Sequence, residues 1–125
     1  MCSREAARKP RRRAYRAGRR AEMIAAALLR LKGYRILARD YRAGVGELDI
    51  VARRGQFLAV IEVKRRHDMA SALAAVTARQ QRRIARAAQA FVARHLGLAD
   101  LDIRFDVIVV LPHHLPKHIK DAWRP

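Results

Sequence analysis

The sequence predicts an α/β domain with the element order α-β-β-β-α-β, and three observations carry that prediction. Helical apolar spacing appears twice, near the start and in the second half of the chain. Between these stretches, two apolar runs flank Arg53-Arg54-Gly55-Gln56, the pattern of a β-hairpin with glycine in a short turn. After the second helical stretch, Val107-Ile108-Val109-Val110-Leu111 is continuously apolar, as a strand buried on both faces must be. A length of 125 residues makes one domain the default. The apolar share of 51 % includes 24 alanines, which leaves enough larger side chains for one modest core and rules out wholesale disorder.

From Ala14 to Lys32 the pattern is helical. Ile24, Ala27, Leu28 and Leu31 repeat at i, i+3, i+4, i+7, the spacing of one apolar face. Glu22, Ala25, Ala26 and Leu29 form a second set on the opposite side, and Gly33 suits the helix end. Tyr34–Ala38 reads as a short strand running into a loop, Arg39–Gly46. The hairpin strands are Leu48–Ala52 and Phe57–Val63. Ala70 to about Leu96 reads as one long helix closed by Gly97. Ile84, Ala88, Phe91, Val92 and His95 form its apolar stripe, with Arg79, Arg82, Arg83 and Arg86 on the other side. Ile103–Leu111 is the last strand. In the tail, Ile119 and Trp123 are the anchors; His113, His114 and His118 read as solvated, since no cysteine or acid spacing supports zinc.

The charge is the strongest compositional signal. Lysine and arginine number 28 against 11 acids, a formal net charge of +17, and arginine supplies 23 of the cations. Biased composition explains why the cations are arginine, but not why they outnumber the acids. Nucleic acid is the expected partner, because each neutralised phosphate releases counterions without any sequence readout. Aromatic residues are few, which disfavours a stacking platform for single strands and favours backbone contact with duplex or branched DNA. Nine cations and one acid fall in residues 1–20. Residues 1–13 are expected to form a flexible basic arm and residues 14–125 a single domain. A single cysteine, Cys2, excludes an internal disulfide framework. No apolar run approaches the roughly 20 residues of a membrane span, and no signal-type stretch follows the basic start, so a cytoplasmic location without membrane attachment is expected.

The scarce acids then become informative. A hairpin centred near Gly55-Gln56 sets Asp49 opposite Glu62 and Glu47 opposite Lys64. Two opposed carboxylates are unfavourable unless a cation lies between them. Each could pair with an arginine such as Arg53, Arg65 or Arg66. The functional alternative is a Mg²⁺ (or Mn²⁺) site of hard carboxylate oxygens, with Lys64 orienting water or stabilising charge on a phosphate. Arg65, Arg66, Arg79, Arg82, Arg83 and Arg86 are the candidate phosphate contacts. Gln80 shares the helix phase of Ile84 and is a candidate site or substrate contact, or alternatively a helix-start residue. Asp106 is expected to pair structurally with Arg104 or another arginine.

Asp49…Glu62-Val63-Lys64 resembles the PD-(D/E)xK signature of the restriction-endonuclease-like superfamily, whose core order is αβββαβ. GELDIVARRGQFLAVIEVKRR, VTARQQRRIARAAQAF, RFDVIVV and IKDAW are together similar to the YraN family of bacterial proteins, from about Gly18 to Trp123. The resemblance implies a restriction-endonuclease-like core with a mixed central sheet flanked by helices, related to Holliday-junction resolvases. It implies Glu22 as an acid of the site, Asp49 and Glu62 as metal ligands with the Val63 carbonyl as a candidate further ligand, Lys64 as the catalytic lysine and Glu47 as a supporting acid or N-terminal strand residue. It also implies a homodimer, because a junction presents two strands to cut. The alternative function is a nucleic-acid-binding protein that keeps the fold without cleaving.

Overall fold

The computed structural model describes residues 18–125; the arm expected over 1–13 lies outside the described residues. Helix α1 occupies 18–31 and ends at Gly33, whose φ of +85° is easy for glycine. Strand β1 (Arg35–Ala43) is longer than the short strand expected and absorbs most of the expected loop. β2 (Gly46–Arg54) and β3 (Phe57–Arg65) form the hairpin, turning at Gly55-Gln56. The single long helix expected from Ala70 to Leu96 is two: α2 (Met69–Ala74) and α3 (Ala78–Arg94). Thr77 breaks it by taking an extended backbone, from which its side chain accepts the Gln80 amide and caps α3. Gly97 falls in a separate tight turn at Leu96–Leu98. β4 (Asp102–Val110) and a short β5 (Lys117–Ile119) complete the chain.

The strands lie in the order β1-β2-β3-β4-β5. β3 and β4 are parallel and every other pair is antiparallel, so the sheet is mixed. Helices flank it. On one face α2, α3 and the turn between them bury Ala72, Val76, Ile84, Ala88 and Phe91 against Leu58, Val60, Val107 and Val109. On the other, α1 buries Ala25, Ala26 and Leu29 against Ile50, Ala52, Ala59, Ile61 and Ile108. The sheet and its flanking helices are compatible with a restriction-endonuclease-like core. Of the two apolar sides of α1, that of Ala25, Ala26 and Leu29 is the buried one, while Ile24 is 42 % exposed and Leu31 87 %. Alanines of α1 meet alanines of the sheet, and small against small lets the helix approach closely. That rotation carries Glu22 toward the sheet.

The tail docks through the residues expected. Ile119 pairs with Val107, and Trp123 stacks on Phe105 with ring centroids 4.3 Å apart. His118, read as solvated, is instead buried: its Nε2 lies 2.7 Å from Asp106 Oδ2 and its Nδ1 lies 2.6 Å from Lys32 Nζ. A lysine ammonium donating to Nδ1 leaves the Nε2–H to donate to Asp106. Arg104 adds two hydrogen bonds to the same carboxylate at 2.8 Å, and the Asp121 amide a further one at 3.0 Å. Burial alone would raise the Asp106 carboxyl; these donors overcome it and hold the carboxyl below its usual range.

Candidate active site

The open end of the β2–β3 hairpin gathers the acids. The last ladder pair there is Ile50↔Ile61. One residue further along, the Asp49 carboxylate takes the place of backbone and accepts the Val63 amide at 2.9 Å. Alternation fails at this point: Leu48 and Val51 both belong to the α3-side core, with Ile50 on the α1 side. The simple alternation of faces that sets Asp49 and Glu47 opposite Glu62 and Lys64 therefore does not hold through Asp49. Its carboxylate nevertheless meets that of Glu62 across the strands, within hydrogen-bonding reach. Lys64 Nζ lies 3.3 Å from Glu62 Oε1, and Gln80 Nε2 donates to that same oxygen at 3.1 Å.

Gln80 thus does both things the sequence allowed, since its amide starts α3 and its side chain enters the site. α3 comes close enough for this because Gly46 has no side chain. A Cβ there would sit 2.7 Å from the Arg83 carbonyl oxygen, a clash with backbone. Two of the three arginines weighed as neutralisers are engaged elsewhere: Arg53 donates to the Gly55 carbonyl and Arg66 to the Arg65 carbonyl. The cation at Glu62 is Lys64.

Burial pushes the Glu62 carboxyl up to about 8, the Asp49 charge adds to the rise, and Lys64 opposes it. Asp49 is also raised, by burial first, against the Val63 amide, Glu62 and Lys64. At neutral pH the pair holds a proton between its carboxyls, as like charges in a poorly solvated site must. Glu22 rises to about 8 as well, through burial, then a hydrogen bond with Asp40, then the Asp49 charge. Asp40 went unnoticed in the sequence. It sits in β1 with φ +50°, a left-handed backbone that aspartate tolerates better than most residues. Its signal was an acid alone in an arginine-rich strand.

The profile of the uncharacterised protein family UPF0102 matches residues 21–110. The chain belongs to that family. A UPF0102 protein of Parvibaculum lavamentivorans is 53 % identical over 112 residues, covering 90 % of this chain and 84 % of the relative. One from Paramagnetospirillum magneticum is 50 % identical over 115 residues, 89 % of each chain. One from Chelativorans is 45 % identical over 117 residues, 94 % of each. UPF0102 is the YraN group that the sequence resembles, within the restriction-endonuclease-like superfamily.

In this UPF0102 chain the donor chemistry suits a hard divalent ion, since two carboxyl groups face each other within hydrogen-bonding reach. Among the described residues, no three His, Cys, Asp or Glu side chains converge closely enough to hold one ion. Asp49 and Glu62 would be its side-chain ligands, and Glu22 stands off. The Val63 carbonyl, on the same lateral side as the amide that Asp49 holds, faces the gap where the ladder has ended. Around the pair, a cleft of about 600 Å³ is lined by Glu47, Asp49, Glu62, Gln80, Arg79 and Arg83. A second, of about 430 Å³, is lined by Glu22, Val63, Lys64, Arg65 and Arg66. Arg82 and Arg86 are exposed on α3 and line neither cleft. Glu47 is exposed and pairs with Arg42 at 3.6 Å, not with Lys64. No helix among the described residues is long and apolar enough to cross a membrane.

Proposed function

We propose that this protein hydrolyses phosphodiester bonds of nucleic acid, with duplex or branched DNA as substrate and Mg²⁺ or Mn²⁺ held by Asp49, Glu62 and the Val63 carbonyl. One observation carries the reading: buried Glu62 and half-buried Asp49 confront each other beside a lysine, at the bottom of arginine-lined clefts. A protein seeking stability alone would put one of its many arginines between them. The metal, when bound, supplies Lewis-acid polarisation and lowers the pKa of bound water. The chain's own residues do the rest. Gln80 and Lys64 fix Glu62 Oε1, which leaves the other carboxylate oxygen toward Asp49. Lys64 orients the attacking water and stabilises charge developing on the phosphate. Glu22 holds a proton near neutral pH at the rim of the second cleft. Arg79 and Arg83 on one bank, with Arg65 and Arg66 on the other, hold flanking phosphates and select by backbone shape more than by base.

The test is cleavage of labelled duplex, four-way-junction and single-stranded substrates with Mg²⁺ or Mn²⁺, alongside Lys64→Ala and Glu62→Ala. Loss of cleavage in both variants is expected. Activity that survives both substitutions refutes the proposal. Binding without cleavage on every substrate makes the protein a nucleic-acid binder that keeps the fold without turnover. Calorimetry supplies an independent readout: metal binding at neutral pH releases a proton from the wild-type pair, and not from Glu62→Gln.

A further inference from the structure

The outward face of α1 has no partner among the described residues. Met23 is 59 % exposed, Ile24 42 % and Leu31 87 %, with exposed Ala27 between them and Leu28 half-buried at the margin. The side chains that anchor α1, namely Ala21, Ala25, Ala26 and Leu29, lie on the opposite side and are fully engaged with the sheet. The stripe is therefore surplus to folding. Exposed Arg20 stands one turn before Ile24, and exposed Arg30 stands three residues beyond Ala27. The only acid of the described helix, Glu22, turns toward the site.

We infer that this face of α1 docks an acidic amphipathic segment of a partner protein. Its apolar residues would cover Met23, Ile24, Ala27 and Leu31, and its carboxylates would meet Arg20 and Arg30. Charge chooses the occupant. A second copy of this chain, at +17, would bring Arg20 and Arg30 against like charges. Nucleic acid has no use for an apolar stripe, and of the Trp, Phe and Leu that anchor a helix in a lipid interface the exposed stripe has only Leu31. The inference stands whether or not the protein cleaves DNA. Because Glu22 and Met23 are adjacent, a docked partner would sit beside the catalytic cleft without filling it.

The probe is a short synthetic amphipathic helix, with leucine or phenylalanine on one face and aspartate or glutamate elsewhere, titrated into the full-length protein. Saturable binding is expected, with methyl NMR shifts at Met23, Ile24 and Leu31. Ile24→Ser with Leu31→Ser weakens it about tenfold, the scale of two lost apolar contacts. Arg20→Glu with Arg30→Glu weakens it comparably, and the unfolding midpoint stays put because all four side chains are exposed. Absence of binding, or binding indifferent to both double variants, overturns the inference. So does concentration-dependent dimerisation that Ile24→Ser with Leu31→Ser abolishes, which would assign the face to a second copy. Binding of anionic vesicles in preference to the peptide, or contacts from residues 1–17 covering the stripe in the free protein, overturns it equally.

Discussion

Asp106 on β4 receives both arms of the Arg104 guanidinium, the His118 ring and the Asp121 amide. Glu62 on the neighbouring β3 faces another carboxylate and has one lysine and one amide for company. The strands run side by side and both carboxyls are buried, Asp106 at 0 % and Glu62 at 8 % exposure. On the α1 face, every oxygen lone pair meets a donor and the carboxyl titrates below its usual range. On the α3 face, the charges repel and the carboxyl titrates near 8. A buried acid that holds a fold together is saturated with donors. One that waits for a ligand is left short of them, and the shortage costs stability.

Substitutions can break this contrast or sharpen it. Asp106→Ala leaves Arg104 without its buried partner and should cost about 3–5 kcal/mol, read by urea denaturation. Lys64→Ala should do the reverse, lowering cleavage by about 10²–10³-fold with little change in the denaturation midpoint. A midpoint loss as large as that of Asp106→Ala would erase the distinction between the two sites. Gly46→Ala forces α3 off the hairpin and should cost about 1–3 kcal/mol. Cleavage should fall further than stability, because Gln80 loses its hold on Glu62 while Asp106 keeps its donors.

The pH dependence separates the sites by sign. Glu62 has a folded pKa near 8 against 4.5 for the free group, so the folded state binds more protons and stability falls as pH rises through that window. Glu62→Gln should flatten this slope and gain roughly 1–2 kcal/mol above about pH 8 without metal, measured by denaturation across pH. Asp106 is depressed below 3.8, so its contribution is present above that value and is lost as pH falls through the folded pKa. The smallest effect is expected on the cleft wall. Arg83→Ala should weaken DNA binding and reduce the salt slope by about one, whereas Arg86→Ala, outside the cleft, should change it less.

The site was more legible than the helices that carry it. The two-residue turn and the pairing register were enough to bring Asp49 and Glu62 together at one end of the hairpin, although side-chain alternation breaks at Asp49. The apolar runs gave the hairpin and the buried β4 for the same reason. The inward face of α1 was hidden because both of its sides are apolar, and fit against Ala52 and Ala59 decided between them. The break at Thr77 was hidden because the apolar spacing runs on either side of it and only the cap stops the helix. His118 was misread because nothing local marks a partner that lies far back in the chain, at Asp106 and Lys32. Asp40 could not be assigned without seeing β1 bend its carboxyl to Glu22.

The donors around Asp106 also tie the end of the chain to the centre of the sheet. His118 and the Asp121 amide both follow β4 and supply two of the four hydrogen bonds to the buried carboxylate. A chain cut between Val110 and Lys117 keeps that carboxylate with only Arg104 to answer it. The last few residues are therefore a lock on the fold, and such a truncation should unfold at lower urea than the full chain.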